Sequence, residues 1–245
     1  RGYLLVGIVN FYSGALRTAL APLERSLETR PTDPDTLSLL GYLYALSGRN
    51  ACASQLIDKV LDIDPLTPIN HCLPGFVALM EGRSADALPF YQRFFDLDPQ
   101  NPFALWTWGY VLLRNGRVDE AADVMRKLNT EHTGSVFAQL GAALLHGVLG
   151  EPEAARTAVT DELRTGAINS ELLSRELTHC LALSGETDEA LDWLENTFRI
   201  GNINYPFWSQ HDDWVASLRP DARFEALMAE MEQEWKSGVS SSGNH

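Results

Sequence analysis

The chain has 245 residues, 45% of them hydrophobic, and a net charge of −14 from 33 acids and 19 bases. A field of that sign disfavours nucleic acid and anionic membrane surfaces through simple repulsion and favours basic partners or mere solubility, leaving an apolar partner to be argued from the groove. No run approaches the ~18 consecutive apolar residues of a membrane span.

No basic-apolar leader opens the sequence. Arg1 falls inside the first structural unit without an initiator Met, so the sequence reads as a piece of a longer, cytoplasmic chain. Cys52, Cys72 and Cys180 share no CxxC spacing and read as reduced, mostly buried thiols.

Small residues recur at a fixed step of 34: Gly7, Gly41, Gly75 and Gly109; Gly14, Gly48, Gly82, Gly116 and Gly150; Ala19, Ala53, Ala87, Ala121 and Ala155. Pro31, Pro65 and Pro99 keep the same step, with Thr133 and Ala167 in the next two places. Such a period describes a helical hairpin repeated along the chain, each unit burying its apolar face on its neighbours. The first glycine of each unit lets two helices touch. The second ends helix A in a left-handed turn, and proline stops helix B.

In order, the units cover 1–33, 34–67, 68–101, 102–135, 136–169 and 170–204. The first pairs a helix from Tyr3 to Tyr12 with one from Ala15 to Thr29, which Pro22 should bend. In the second, Leu37, Leu40, Gly41 and Tyr44 form one helical stripe and Ala53, Leu56, Ile57 and Val60 another. The third carries Pro74 and Pro89 inside its helices, predicting a kink or late start at each. The fourth has a looser closing turn over Asn129 to Gly134.

The sixth unit slips by one residue, since Gly185 and Ala190 lie 35 beyond Gly150 and Ala155. An extra residue around Arg164 to Asn169 accounts for the slip at small entropic cost. Residues 205–236 form a capping segment. It comprises an aromatic turn from Asn204 to Trp208, a short helix from Asp212 to Leu218, and a last helix with Phe224, Leu227, Met228, Met231 and Trp235 on one face. The Ser/Gly-rich tail 237–245 is expected to be disordered or foreign to the fold.

The 34-residue ladder resembles the tetratricopeptide repeat (TPR) family over most of the chain. The resemblance implies an all-α, right-handed superhelix of about six hairpins plus capping helices, acting as a protein-binding module. The run from Asn204 to Trp235 is similar to the end of TPR regions in bacterial multidomain signalling proteins, which carry kinase or cyclase domains. It departs from them at Ala222, where proline is more usual.

No phosphate loop, HExxH helix or nucleophile context appears, so no catalytic residue, cofactor or metal site is expected. His71 with Cys72, and His179 with Cys180, are adjacent on helices and point about 100° apart, a poor start for chelation.

The resemblance assigns the concave surface chiefly to helix A side chains. Carried over, the candidate groove comprises Tyr42, Phe76, Met80, Phe103, Trp106, Tyr110, Leu113, Arg114, Leu144, Arg175 and His179. Aromatic anchors of this kind suit a protein or peptide ligand. The same band packs as core if the superhelix winds tightly or the C-terminal segment folds inward. A structural alternative is self-association through the exposed face of the first unit, giving a homodimer.

Overall fold

The computed structural model describes residues 2–242, with side chains of 2–238. Among these, fourteen α-helices and no strand are found. Five hairpins follow the ladder: α1 (Gly2–Tyr12) with α2 (Leu16–Thr29), α3 (Pro34–Leu46) with α4 (Asn50–Ile63), α5 (Leu73–Met80) with α6 (Ser84–Leu97), α7 (Pro102–Arg114) with α8 (Val118–Glu131), and α9 (Val136–Val148) with α10 (Pro152–Ala158). A short α11 (Asp161–Ala167) precedes the sixth, α12 (Glu171–Leu183) with α13 (Thr187–Ile200). The last helix, α14, spans Ala222–Ser242.

Sequence sets the helix boundaries by ordinary means. Pro34, Pro102 and Pro152 sit in the first turns of α3, α7 and α10, where a missing N–H costs nothing. Asn101, Ser135 and Ser170 cap α7, α9 and α12 through their side chains. Between helices A and B the chains approach closely. A Cβ on Gly75 would lie 2.9 Å from the Tyr91 ring, and one on Gly109 would lie 2.5 Å from Met125. Gly48 closes α3 at φ 72°, and a Cβ there would also strike Trp235 of α14 at 2.5 Å.

Several local expectations are refined. Pro22 and Pro89 lie inside α2 and α6, which run on through them. Pro74 delays its helix instead: Pro68–Cys72 forms a 3-10 turn and α5 starts at Leu73. The extra residue of the fifth unit is absorbed earlier than expected, at Val159 and Thr160, where helix B breaks into α10 and α11. Thr160 caps the second piece by accepting from Leu163 N–H. Of the tail expected to be unstructured, residues 237–242 continue α14, and 243–245 lie outside the described residues.

The array turns until its two ends meet. Arg17 of α2 donates to the Arg199 carbonyl at the end of α13 (2.8 Å) and pairs with Glu234 of α14 (2.5 Å). Gly14 abuts Asn169, and Gly201 abuts Leu16 and Arg17. Phe224, Leu227, Met228 and Met231 of α14 are buried, as their apolar spacing predicts.

Candidate functional site

The concave face, where binding was expected, is occupied by the chain itself. After α13, Gly201 takes φ 123° and redirects the backbone into the trough. Residues 202–214 then cross it as an irregular strap, including a π turn over Phe207–His211. Ile203 N–H donates to the Leu46 carbonyl (3.1 Å), and the Asn204 amide donates to the Ala45 carbonyl (2.8 Å). Phe207 and Trp208 are buried at 2% and 0% exposure.

Of the eleven predicted residues, Tyr110, Arg114 and His179 contact the strap directly. Phe76, Met80, Trp106, Tyr110, Leu113, Leu144, Arg175 and His179 are buried, while Tyr42, Phe103 and Arg114 are partly buried. Tyr42 stacks on Phe76 with centroids 4.7 Å apart. Phe103, Trp106 and Tyr110 form a second stack along α7. Tyr110 meets the strap's Trp214 edge-on at 5.2 Å, and the Arg114 guanidinium lies 3.6 Å over the same indole. The band expected to be an open groove is therefore covered by the strap at its Tyr110 and Arg114 end, while Phe103 and Trp106 pack against Phe137 of α9.

At the centre lies a charged network that periodicity did not reveal as a unit. Arg114 donates to one oxygen of Asp212 (2.6 Å), and His179 Nε2 meets the other (2.6 Å). His179 Nδ1 faces Glu176 (3.2 Å). Arg175 bridges Glu176 (2.5 Å) and Glu171 (2.9 Å). Glu171 also accepts from the Asn202 amide (2.8 Å) and the Tyr42 hydroxyl (2.7 Å).

Both imidazole nitrogens of His179 face carboxylate oxygens, which favours the imidazolium, while Nε2 also lies 3.3 Å from an Arg114 nitrogen. Three cations (Arg114, Arg175, His179) then balance three anions (Glu171, Glu176, Asp212). Burial alone would neutralise these groups, but the partners win. Burial opposes the charge on His179, yet Asp212 and Glu176 outweigh it and raise its pKa. Burial likewise pushes Asp212 up, yet Arg114 and His179 hold it far below the usual carboxylate range.

Both nitrogens of His179 and both oxygens of Glu171, Glu176 and Asp212 are engaged within the network. The buried thiols are poor nucleophiles, since burial pushes Cys72 up to about 12 and Cys180 well above its ordinary value. Among the described residues, no group of His, Cys, Asp and Glu is arranged to hold a metal ion. No described helix is long and apolar enough to cross a membrane.

One cleft lies beside the strap and another away from it. One of about 90 Å³ is lined by Tyr110, Arg114, Phe207, His211 and Trp214. A wide one of about 640 Å³ between α13 and α14 is lined by Asp192, Glu195, Arg199, Arg223 and Glu230. Arg223 pairs there with Asp192 (2.6 Å) and Glu195 (2.9 Å).

Residues 77–135 match the family model for the tetratricopeptide repeat. A tetratricopeptide repeat protein from Parabacteroides merdae superposes with a TM-score of 0.59 at 15% identity, over 89% of this chain and 82% of that one. The fold is a TPR array. The Cut9–Hcn1 hetero-tetramer of the APC/C gives 0.58 at 18% identity, over 92% of this chain and 44% of that one. PilW, a type IV pilus biogenesis factor, gives 0.55 at 13% identity, over 89% and 96%. A search of the curated proteins found no match. A TPR array of this kind is consistent with protein–protein interaction or scaffolding.

The sequence missed Asp212, Asn202 and Trp208 as trough residues. One signal was present: Glu171, Arg175, Glu176 and His179 place four ionisable groups at or beside the concave positions of an otherwise apolar band. Buried charges of this kind require partners. The aromatic run from Asn204 to Trp208, out of step with the ladder, was the segment available to bring them.

Proposed function

We propose that this TPR array is a non-catalytic scaffold that docks a second copy of itself through the outer face of α1. The observation that supports this is an unpaired register. Tyr3, Leu5, Val6, Val9 and Tyr12 are 49–77% exposed. One repeat later the same positions are Leu37, Leu39, Leu40, Leu43 and Leu46, of which Leu37, Leu40, Leu43 and Leu46 are at most 2% exposed. There α3 packs between α2 and α4.

The first hairpin thus presents to solvent a register that the second and fourth hairpins largely bury, and contiguous apolar patches of this kind mark contact sites. α1 carries no charged residue between Gly2 and Tyr12, so two copies meet face to face without like-charge repulsion despite a net charge of −14. An isologous two-fold contact pairs the patch with itself. The helix is only about 16 Å long, which places the contact in the small, reversible class, with dissociation on the order of micromolar.

Sedimentation velocity across a hundredfold concentration range tests this reading. The expected result is a monomer–dimer equilibrium that Val6→Glu with Val9→Glu abolishes while helicity is unchanged. A concentration-independent monomer overturns it. So does a longer parental chain that stays monomeric with α1 protected by the residues preceding it.

A second reading keeps the concave band as a protein or peptide site. What favours it is the chemistry of the trough wall, where charged and hydrogen-bonding groups, rather than apolar ones alone, grip the strap. In either reading the array serves as the scaffolding or regulatory part of a cytoplasmic bacterial signalling protein, which rests on the resemblance of residues 204–235.

A further inference from the structure

We infer that residues 202–214 are a built-in ligand of the concave face, and that the site they fill recognises a carboxylate followed two residues later by an aromatic ring. The inference rests on the second reading above and specifies both its ligand class and its regulation.

The argument is one of charge and of chain path. Without the strap, Arg175 keeps both Glu171 and Glu176, whereas Arg114 loses its carboxylate partner and His179 loses one of its two. Asp212 supplies the acid to both. Although the whole chain is at −14, the Arg114 guanidinium at the mouth of the open trough selects an acid. Trp214 then lies over Arg114 and against Tyr110, so acid and ring are read together.

The strap is attached as a ligand is attached. It begins at a glycine with φ 123°, it departs from the regular hairpins of the array, and it bonds to the carbonyls of Ala45 and Leu46 at the end of α3. Buried ion pairs of this type contribute little net stability against an apolar core of the same shape but strongly select their partner. A segment of another protein with the same acid-x-aromatic chemistry competes for the site, and the strap suppresses that binding until displaced.

The test uses the full chain and a labelled peptide of residues 202–216, with fluorescence anisotropy as readout. Wild type is expected to bind weakly. Asp212→Asn in the chain loosens the strap, raises the open fraction and tightens peptide binding about ten-fold or more. The same change made in the peptide is expected to lose a comparable factor.

Equal binding of the Asp and Asn peptides would overturn the inference while leaving a peptide-binding concave face intact. Binding of neither by a folded Asp212→Asn chain would overturn both. If that variant does not fold, hydrogen exchange on the wild-type chain decides. Added peptide should speed exchange of the amides of Ile203, Trp208 and Asp212 and leave those of α7 unchanged. No change at the strap amides sinks the proposal.

Discussion

Two interiors coexist in this molecule, and they obey different rules. Between helices A and B of each hairpin the contact is apolar and repeats. Gly41 lies on Ile57, Gly75 on Tyr91 and Gly109 on Met125, with the alanines of the ladder at 0% exposure. On the concave face the contact is charged and occurs once, with Arg114, His179, Glu176, Arg175 and Glu171 converging on a strap that enters from outside the repeat. The first interior works by close packing of small against large and can be built many times over. The second depends on complementary charge, and each member is costly to remove because its partner stays buried.

The sharpest way to break this contrast is Arg114→Met. It leaves Asp212 buried beside His179 alone, and should cost about 3–5 kcal/mol in urea unfolding, the range for orphaning a buried charge. Pairing it with Asp212→Leu should restore much of that loss, because two apolar groups need no partner. Failure of the double variant to recover would mean that the network is needed for more than its own neutrality.

In the hairpin interior, Gly75→Val drives a branched side chain against the Tyr91 ring and Phe90, which a Cβ alone already meets at 2.9–3.1 Å. The expected loss is about 1–3 kcal/mol, typical of overpacking, with the charged network unaffected. A neutral result would show that the ladder glycines are not set by helix contact.

The smallest perturbation moves one proton. His179 has a raised pKa in the fold, with Asp212, Glu176 and Arg114 as the charged groups that face it. Its contribution is therefore fully present below the unfolded value near 6.5 and is lost as pH rises through the folded value. Asp212, with its lowered pKa, contributes above about pH 4 and loses that as pH falls. The urea midpoint should decline from pH 6 to pH 9 in wild type, and this part of the decline should vanish in His179→Gln. A variant with an unchanged profile would place the titration elsewhere.

How much was legible differs between the two regions for a physical reason. The ladder was readable because each glycine, alanine and proline answers a local demand, such as a left-handed turn, a close helix approach or a stop, that recurs with the unit. Even its departures were visible, although the break falls at Val159 and Thr160, upstream of the predicted place, where Thr160 caps the helix that resumes. The aromatic band was equally readable as a band. Its covering was not, because no periodic signal links Asp212 to Arg114 or Asn202 to Glu171, residues 98 and 31 apart.

By itself, then, the sequence determined the hairpins, their step and the apolar stripe of the last helix. All of these follow from neighbours within one or two units. Only the tertiary structure decided that the ends of the array meet, that Gly201 turns the chain inward, and that Asp212 completes a neutral set of buried charges. Those outcomes depend on the accumulated rotation of six hairpins, which brings distant segments within hydrogen-bonding reach and which no local pattern encodes.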